Sequence, residues 1–143
     1  MHSILIVDDD ADARDALAKY FIKAGYSVQA AVNGRNALSA LLSTTPDVII
    51  LDARMPEMDG IQLLGVMRSY LRLVKLPVIL LTAYPESADI DRAKQLGVNH
   101  VFAKANYNLA DLAACVKNLI ANPRSNSGPG SFGWKPRPGL LFL

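Results

Sequence analysis

The chain has 143 residues, 51% of them hydrophobic and 20% charged, which fits one globular domain of ordinary size and excludes disorder throughout. No apolar stretch approaches the ~18 residues of a membrane span and no basic start leads into an apolar segment, so neither a transmembrane helix nor a secretory leader is expected. The net charge of +2 divides unevenly: Arg124, Lys135 and Arg137 lie in an acid-free ending, and the rest carries 12 bases against all 13 acids, too balanced for a nucleic-acid footprint.

In chain order, Ile4-Leu5-Ile6-Val7 is an unbroken run of branched residues, the pattern of a strand buried on both faces of a parallel sheet. It runs into Asp8-Asp9-Asp10, the start of an acidic cluster that continues with Asp12 and Asp15. Residues 12–24 repeat Ala13, Leu17, Tyr20/Phe21 and Ala24 as a helix ended by Gly25, with Asp10 or Asp12 as its N-cap. Residues 27–32 alternate as a weak strand, and 33–42 form the second helix. Val48-Ile49-Ile50-Leu51 is a second buried strand, ending at Asp52. A third helix is predicted over 61–71, with Asp59 as N-cap. Val78-Ile79-Leu80-Leu81 is a further buried strand that ends at Thr82, and a more polar helix over 86–96 is stopped by Gly97. A short strand, His100–Ala103, leads to Lys104, and the last helix, 108–120, repeats Leu109, Leu112, Val116 and Leu119 with Cys115 on its core face.

Five strand–helix units in alternation specify an α/β domain: a doubly wound five-stranded parallel sheet with helices on both faces. Placing the two weak strands at the edges gives the order 2-1-3-4-5. From residue 122 the composition changes, with four of the 8 prolines, four of the 9 glycines and no periodicity. The expected division is therefore a domain over 1–121 and a Pro/Gly-rich flexible tail over 122–143 that ends in Leu140-Leu141-Phe142-Leu143. A single cysteine forms no internal disulfide or thiolate cluster, which points to a cytoplasmic chain without structural zinc.

Ligands of open α/β sheets bind beyond the carboxyl ends of the strands where the strand order switches. Asp8, Asp9, Asp52, Thr82 and Lys104 all fall at such ends. Three carboxylates so gathered repel by several kcal/mol in total at an effective dielectric of about 20, which a small divalent cation relieves. All-oxygen donors favour Mg²⁺ over zinc. With a lysine beside them, the set has the parts of phosphoryl transfer to a carboxylate.

Four segments then carry a resemblance: residues 4–10 (ILIVDDD), 46–60 (PDVIILDARMPEMDG), 77–83 (PVILLTA) and 97–104 (GVNHVFAK). In order and spacing they resemble the receiver domain of two-component response regulators, over about residues 3–121. The resemblance implies a flavodoxin-like fold and a signalling switch rather than an enzyme. Asp52 would accept a phosphoryl group from a phosphohistidine on a sensor histidine kinase or histidine phosphotransfer protein. Asp9 and Asp52 would hold Mg²⁺ directly, Asp8 through water, and Arg54 through its main-chain carbonyl. Thr82 and Lys104 would engage the phosphoryl group, and the side formed by the fourth helix, fifth strand and fifth helix would change to alter binding of a downstream protein. Monomer or weak homodimer is the expected state, with no direct nucleic-acid or membrane binding.

The chain departs from the family pattern where Ala105-Asn106 follow Lys104 in place of proline and an aromatic, and where Val101 replaces the switch aromatic, with Phe102 on the other face. Those departures keep a second possibility open, a non-switching pseudo-receiver that serves as a protein-binding module. A phosphohydrolase of the Asp-x-Asp type fits less well, because Asp12 stands where Thr or Val is expected and there is no cap domain. A flavin-binding domain is excluded by the lack of a Ser/Thr/Gly-rich phosphate loop after the first strand.

Overall fold

A computed structural model describes residues 1–122. The expected tail, with Trp134 and the apolar tetrad, lies outside the described residues apart from Asn122. The elements are β1 (Ser3–Val7), α1 (Ala11–Lys23), β2 (Ser27–Ala31), α2 (Gly34–Ser43), β3 (Val48–Asp52), α3 (Gly60–Met67), β4 (Val78–Thr82), α4 (Ala88–Gln95), β5 (His100–Ala103) and α5 (Leu109–Ala121). All four strand pairings are parallel, and the sheet order is β2-β1-β3-β4-β5, as the apolar runs predict.

The continuous apolar runs serve both faces of the sheet at once. Leu5, Val7, Ile49, Leu51, Val78 and Leu80 meet Leu41, Leu63, Leu64, Met67 and Ile90 from α2, α3 and α4. Ile4, Ile6, Val48, Ile50, Ile79 and Leu81 meet Leu17, Phe21, Leu112, Val116 and Leu119 from α1 and α5. Each fully buried aliphatic side chain contributes about 1.5–3 kcal/mol relative to exposure, so this three-layer packing is the main stabilising term. Val101 and Phe102 divide between the two cores, which places Phe102 on the α5 side against Tyr107.

Local chemistry sets the helix ends. Asp10 caps α1 by accepting from the backbone N–H groups of Asp12 and Ala13. Asp59 and Gln62 form a reciprocal capping box on α3. Gly25 and Gly97, with φ of 100° and 78°, turn the chain out of α1 and α4 in the left-handed region that glycine enters at least cost.

The third helix is shorter than its apolar spacing predicts, ending at Met67 instead of residue 71. Leu71, the last residue of the expected helix, is 93% exposed. The cause is Arg68, whose guanidinium turns inward and donates to the carbonyls of Leu73, Val74, Leu76, Leu96 and Gly97 at 2.8–3.1 Å. Arg72 likewise donates to the carbonyls of Leu41 and Leu42 at the end of α2. Segment 68–76 is thus built as a cap for other helices and does not continue α3.

Candidate functional site

Asp52 is the last residue of β3 and Thr82 the last of β4, while Asp8 and Lys104 directly follow β1 and β5. Because these strands are parallel and in register, all four residues emerge on one rim. Asp8, Asp52 and Thr82 are 1%, 5% and 2% exposed, an unusual depth for two acids and a hydroxyl. Asp9 is exposed. One carboxylate oxygen from each of Asp8, Asp9 and Asp52 lies within 4.8 Å of the others. Two oxygens on opposite sides of one Mg²⁺ would stand about 4.2 Å apart, so a contraction of no more than about 0.6 Å would bring this trio round a single small hard cation.

Lys104 bridges the two buried acids, its Nζ 3.3 Å from Asp52 Oδ2 and 3.4 Å from Asp8 Oδ2. Its backbone N–H donates to the Thr82 carbonyl at 2.8 Å, tying the ends of β4 and β5 together. The Lys104–Ala105 peptide is trans, like every other peptide bond among the described residues. Thr82 Oγ1 accepts from the Tyr84 backbone N–H at 3.0 Å, which holds the hydroxyl at the rim.

Burial, and then the neighbouring charge of Asp8, push the Asp52 carboxyl up to about 6. Lys104 and the backbone N–H of Arg54, 3.4 Å from Asp52 Oδ1, pull the other way without cancelling the rise. For Lys104 itself burial works against the charged form, but Asp52 and Asp8 outweigh it and raise the ammonium above its ordinary value. At neutral pH the site therefore holds an ionised carboxylate beside a protonated ammonium.

The loop after β3 is fixed from several sides. Gly60 N–H donates to the Ala53 carbonyl and Gly34 N–H to that of Met58. A Cβ at Gly60 would run into the Asp52 carbonyl oxygen, so only glycine lets α3 start this close to the site. Arg54 turns its side chain outward, to Asp89 of α4 at 3.6 Å and across the Tyr84 ring at 5.8 Å from its centroid.

Every residue singled out from the sequence is thus at this rim: Asp8, Asp9, Asp52, Arg54, Thr82 and Lys104. Two neighbours were not anticipated. Tyr107 closes the α5 side, its hydroxyl pKa raised by burial, with Lys104 opposing and Asp8 adding to the rise. Arg14 of α1 donates from Nη1 to the Asp8 main-chain carbonyl at 2.8 Å. One signal for Arg14 was present: a cation near a helix amino end runs against the helix dipole.

A geometry of this kind, on this sheet order, defines a class: residues 4–117 match the family model of the response regulator receiver domain, and the chain belongs to that family. It is 46% identical over 120 residues to the regulatory protein AtoC of Escherichia coli (strain K12), covering 84% of this chain and 25% of that protein. It is 37% identical over 117 residues to sporulation initiation phosphotransferase F of Bacillus subtilis (strain 168), covering 82% of this chain and 92% of that one. The response regulator protein TrrA from Thermotoga maritima, solved in complex with Mg²⁺-BeF, superposes with a TM-score of 0.71 at 30% identity, covering 83% of this chain and 99% of that one. The chain spans only 25% of AtoC and 48% of the transcriptional regulatory protein GltR of Pseudomonas aeruginosa. No helix among the described residues is long and apolar enough to cross a membrane.

Proposed function

We propose that this chain is the phosphoacceptor switch of a two-component phosphorelay, with Asp52 taking a phosphoryl group from a phosphohistidine on a sensor histidine kinase or a histidine phosphotransfer protein. The observation that carries this is the convergence of buried Asp8 and Asp52, Asp9, Thr82 and Lys104 on one rim. An Asp52 carboxylate oxygen bonds to phosphorus as the phosphorus–nitrogen bond breaks, giving an acyl phosphate here and leaving the electron pair on the donor imidazole. Lys104 Nζ, already between the two buried acids, meets the charge on the transferring oxygens, and the Thr82 hydroxyl donates to one of them. Asp8, Asp9 and Asp52 with the Arg54 main-chain carbonyl are the groups that would hold Mg²⁺. When bound, Mg²⁺ supplies neutralising charge to the phosphoryl oxygens. That TrrA was solved in complex with Mg²⁺-BeF supports Mg²⁺ as the cation for the acidic trio of this chain.

Phosphorylation adds about −1.5 to −2 charges. Thr82 and Lys104 then exchange their present partners for phosphoryl oxygens, and the α4-β5-α5 side shifts to alter binding of a downstream protein in the cytoplasm. Residues 1–121 suffice for this switch, with the rest as a tail. The bulk of Arg54 and Tyr84, packed against each other beside the rim, would hinder water and slow hydrolysis of the acyl phosphate.

The test is intact mass after incubation with Mg²⁺ and acetyl phosphate, beside Asp52→Asn. A gain of one phosphoryl group that needs Mg²⁺ and is lost in Asp52→Asn is expected. Its decay should quicken in Arg54→Ala; an unchanged half-life would remove the screening role. No gain despite bound Mg²⁺ would instead identify a non-switching receiver used as a binding module, the outcome that Val101 and Ala105-Asn106 would explain.

A further inference from the structure

Of the three clustered carboxylates, two are held by their own hydrogen bonds. Asp8 Oδ1 accepts from the Asp10 N–H at 2.9 Å and Oδ2 faces Lys104, while Asp52 Oδ1 faces the Arg54 N–H and Oδ2 faces Lys104. Asp9 is different. It is exposed, and its side chain makes no hydrogen bond among the described residues, yet it points into the cluster. Its aim must therefore come from its backbone.

Both peptides that flank Asp9 are pinned. The one before it carries the Asp8 carbonyl, which accepts from Arg14 Nη1 at 2.8 Å. The one after it carries the Asp10 N–H, which donates to Asp8 Oδ1. Arg14 is itself seated by its N–H to the Asp10 carbonyl at 2.9 Å, at the end of the first turn of α1. With both peptide planes fixed, the φ and ψ of Asp9 are fixed, and so is the direction of its Cβ. No acidic side chain of the described residues forms an ion pair with Arg14, so its one hydrogen bond at the site is to that carbonyl.

We propose that Arg14 is a positioning residue for the cation site, holding the Asp8–Asp9 peptide so that the Asp9 carboxylate faces Asp8 and Asp52. This rests on the proposed function and deepens it. The sign of the effect separates positioning from simple charge. As a positive charge, Arg14 repels a divalent cation, and by that effect alone its removal would tighten binding. As a positioning group, its removal weakens binding, in the way that loss of outer-shell partners costs about 10–100-fold in metal affinity.

Calorimetric titration of Mg²⁺ into the full chain, without phosphodonor, tests this with Arg14→Met, Arg14→Lys, Asp9→Asn and the double variant Arg14→Met/Asp9→Asn. Arg14→Met should weaken Mg²⁺ about 10-fold. In the Asp9→Asn background the same change should have less than about a 2-fold effect, because the carboxylate it aims is gone. Arg14→Lys, a shorter donor without the planar fork, should fall between wild type and Arg14→Met. Should Arg14→Met fail to fold in a thermal melt, Arg14→Lys in the two backgrounds carries the same comparison. Unchanged or tighter binding in Arg14→Met, or an undiminished loss in the Asp9→Asn background, overturns the assignment. Absence of Mg²⁺ binding in the wild type would overturn the proposed function as well, whereas wild-type binding with an indifferent Arg14→Met overturns only this inference.

Discussion

Asp52 couples the chemistry of the site to the stability of the domain. Its carboxyl titrates near 6 when folded and near the ordinary 3.8 when unfolded. A raised carboxyl favours the folded state only while protonated. Its contribution is complete below pH 4, is lost as pH rises towards 6, and stays lost above that. The shift corresponds to roughly 2–3 kcal/mol of destabilisation in the metal-free protein at neutral pH. Asp52→Asn removes the ionisation and keeps the shape. Urea unfolding without metal at pH 7.5 should find the variant about 2 kcal/mol more stable, with the gap closing at pH 4. A variant that is equally stable or weaker at pH 7.5 would show that Lys104 fully compensates the buried charge.

At the scale of elements, Arg68 does for α3 and α4 what a cap residue does for one helix. Its guanidinium is partly buried, and the desolvation lowers its pKa to about 10. Its five hydrogen bonds all go to backbone carbonyls, gathering the 73–76 turn and the end of α4 around one side chain. Arg68→Met would keep much of the volume but leave those carbonyls without their donor. A loss of about 2–4 kcal/mol is expected in urea unfolding, since each buried group left unpaired costs about 1–3 kcal/mol and the turn relaxes in part. A loss below about 1 kcal/mol would mean that water replaces the guanidinium.

The same residue explains where the sequence was legible and where it was not. β1, β3 and β4 were legible because a strand buried on both faces must be apolar at every position, as Ile4–Val7 is. Asp59 was readable as a cap because capping is a contact between close neighbours in sequence. The end of α3 was not, because it depends on carbonyls up to 29 positions from Arg68, and no local pattern records them. At the site, Asp8, Asp9, Asp52, Thr82 and Lys104 could be placed on one rim from strand ends alone. Arg14 and Tyr107 could not, since their places depend on how α1 and α5 pack.

For the molecule as a whole, α4 is held unequally at its two ends. Its carboxyl end is fastened: Leu96 and Gly97 give their carbonyls to Arg68, and Asn99 just beyond accepts from the Val78 backbone through a buried side chain. Its amino end has weaker ties. Ser87 stands at the N-cap without a side-chain cap hydrogen bond, and the Arg54–Asp89 pair is more than 60% exposed on both sides. Such a pair contributes only about 0–1 kcal/mol. Yet this loose end is the one linked to the site, through Arg54 beside Asp52 and Tyr84 beside Thr82. On the proposed phosphorylation of Asp52, the new negative charge would draw Arg54 and Thr82 inward, and only a small differential energy would be needed to release the first turn of α4. The helix should then pivot on its Arg68-held end. Hydrogen–deuterium exchange with and without acetyl phosphate and Mg²⁺ should show several-fold changes at amides 84–91, and little change at 93–97. Equal change along the helix would mean that α4 moves as a rigid body and that Arg68 lets go with it.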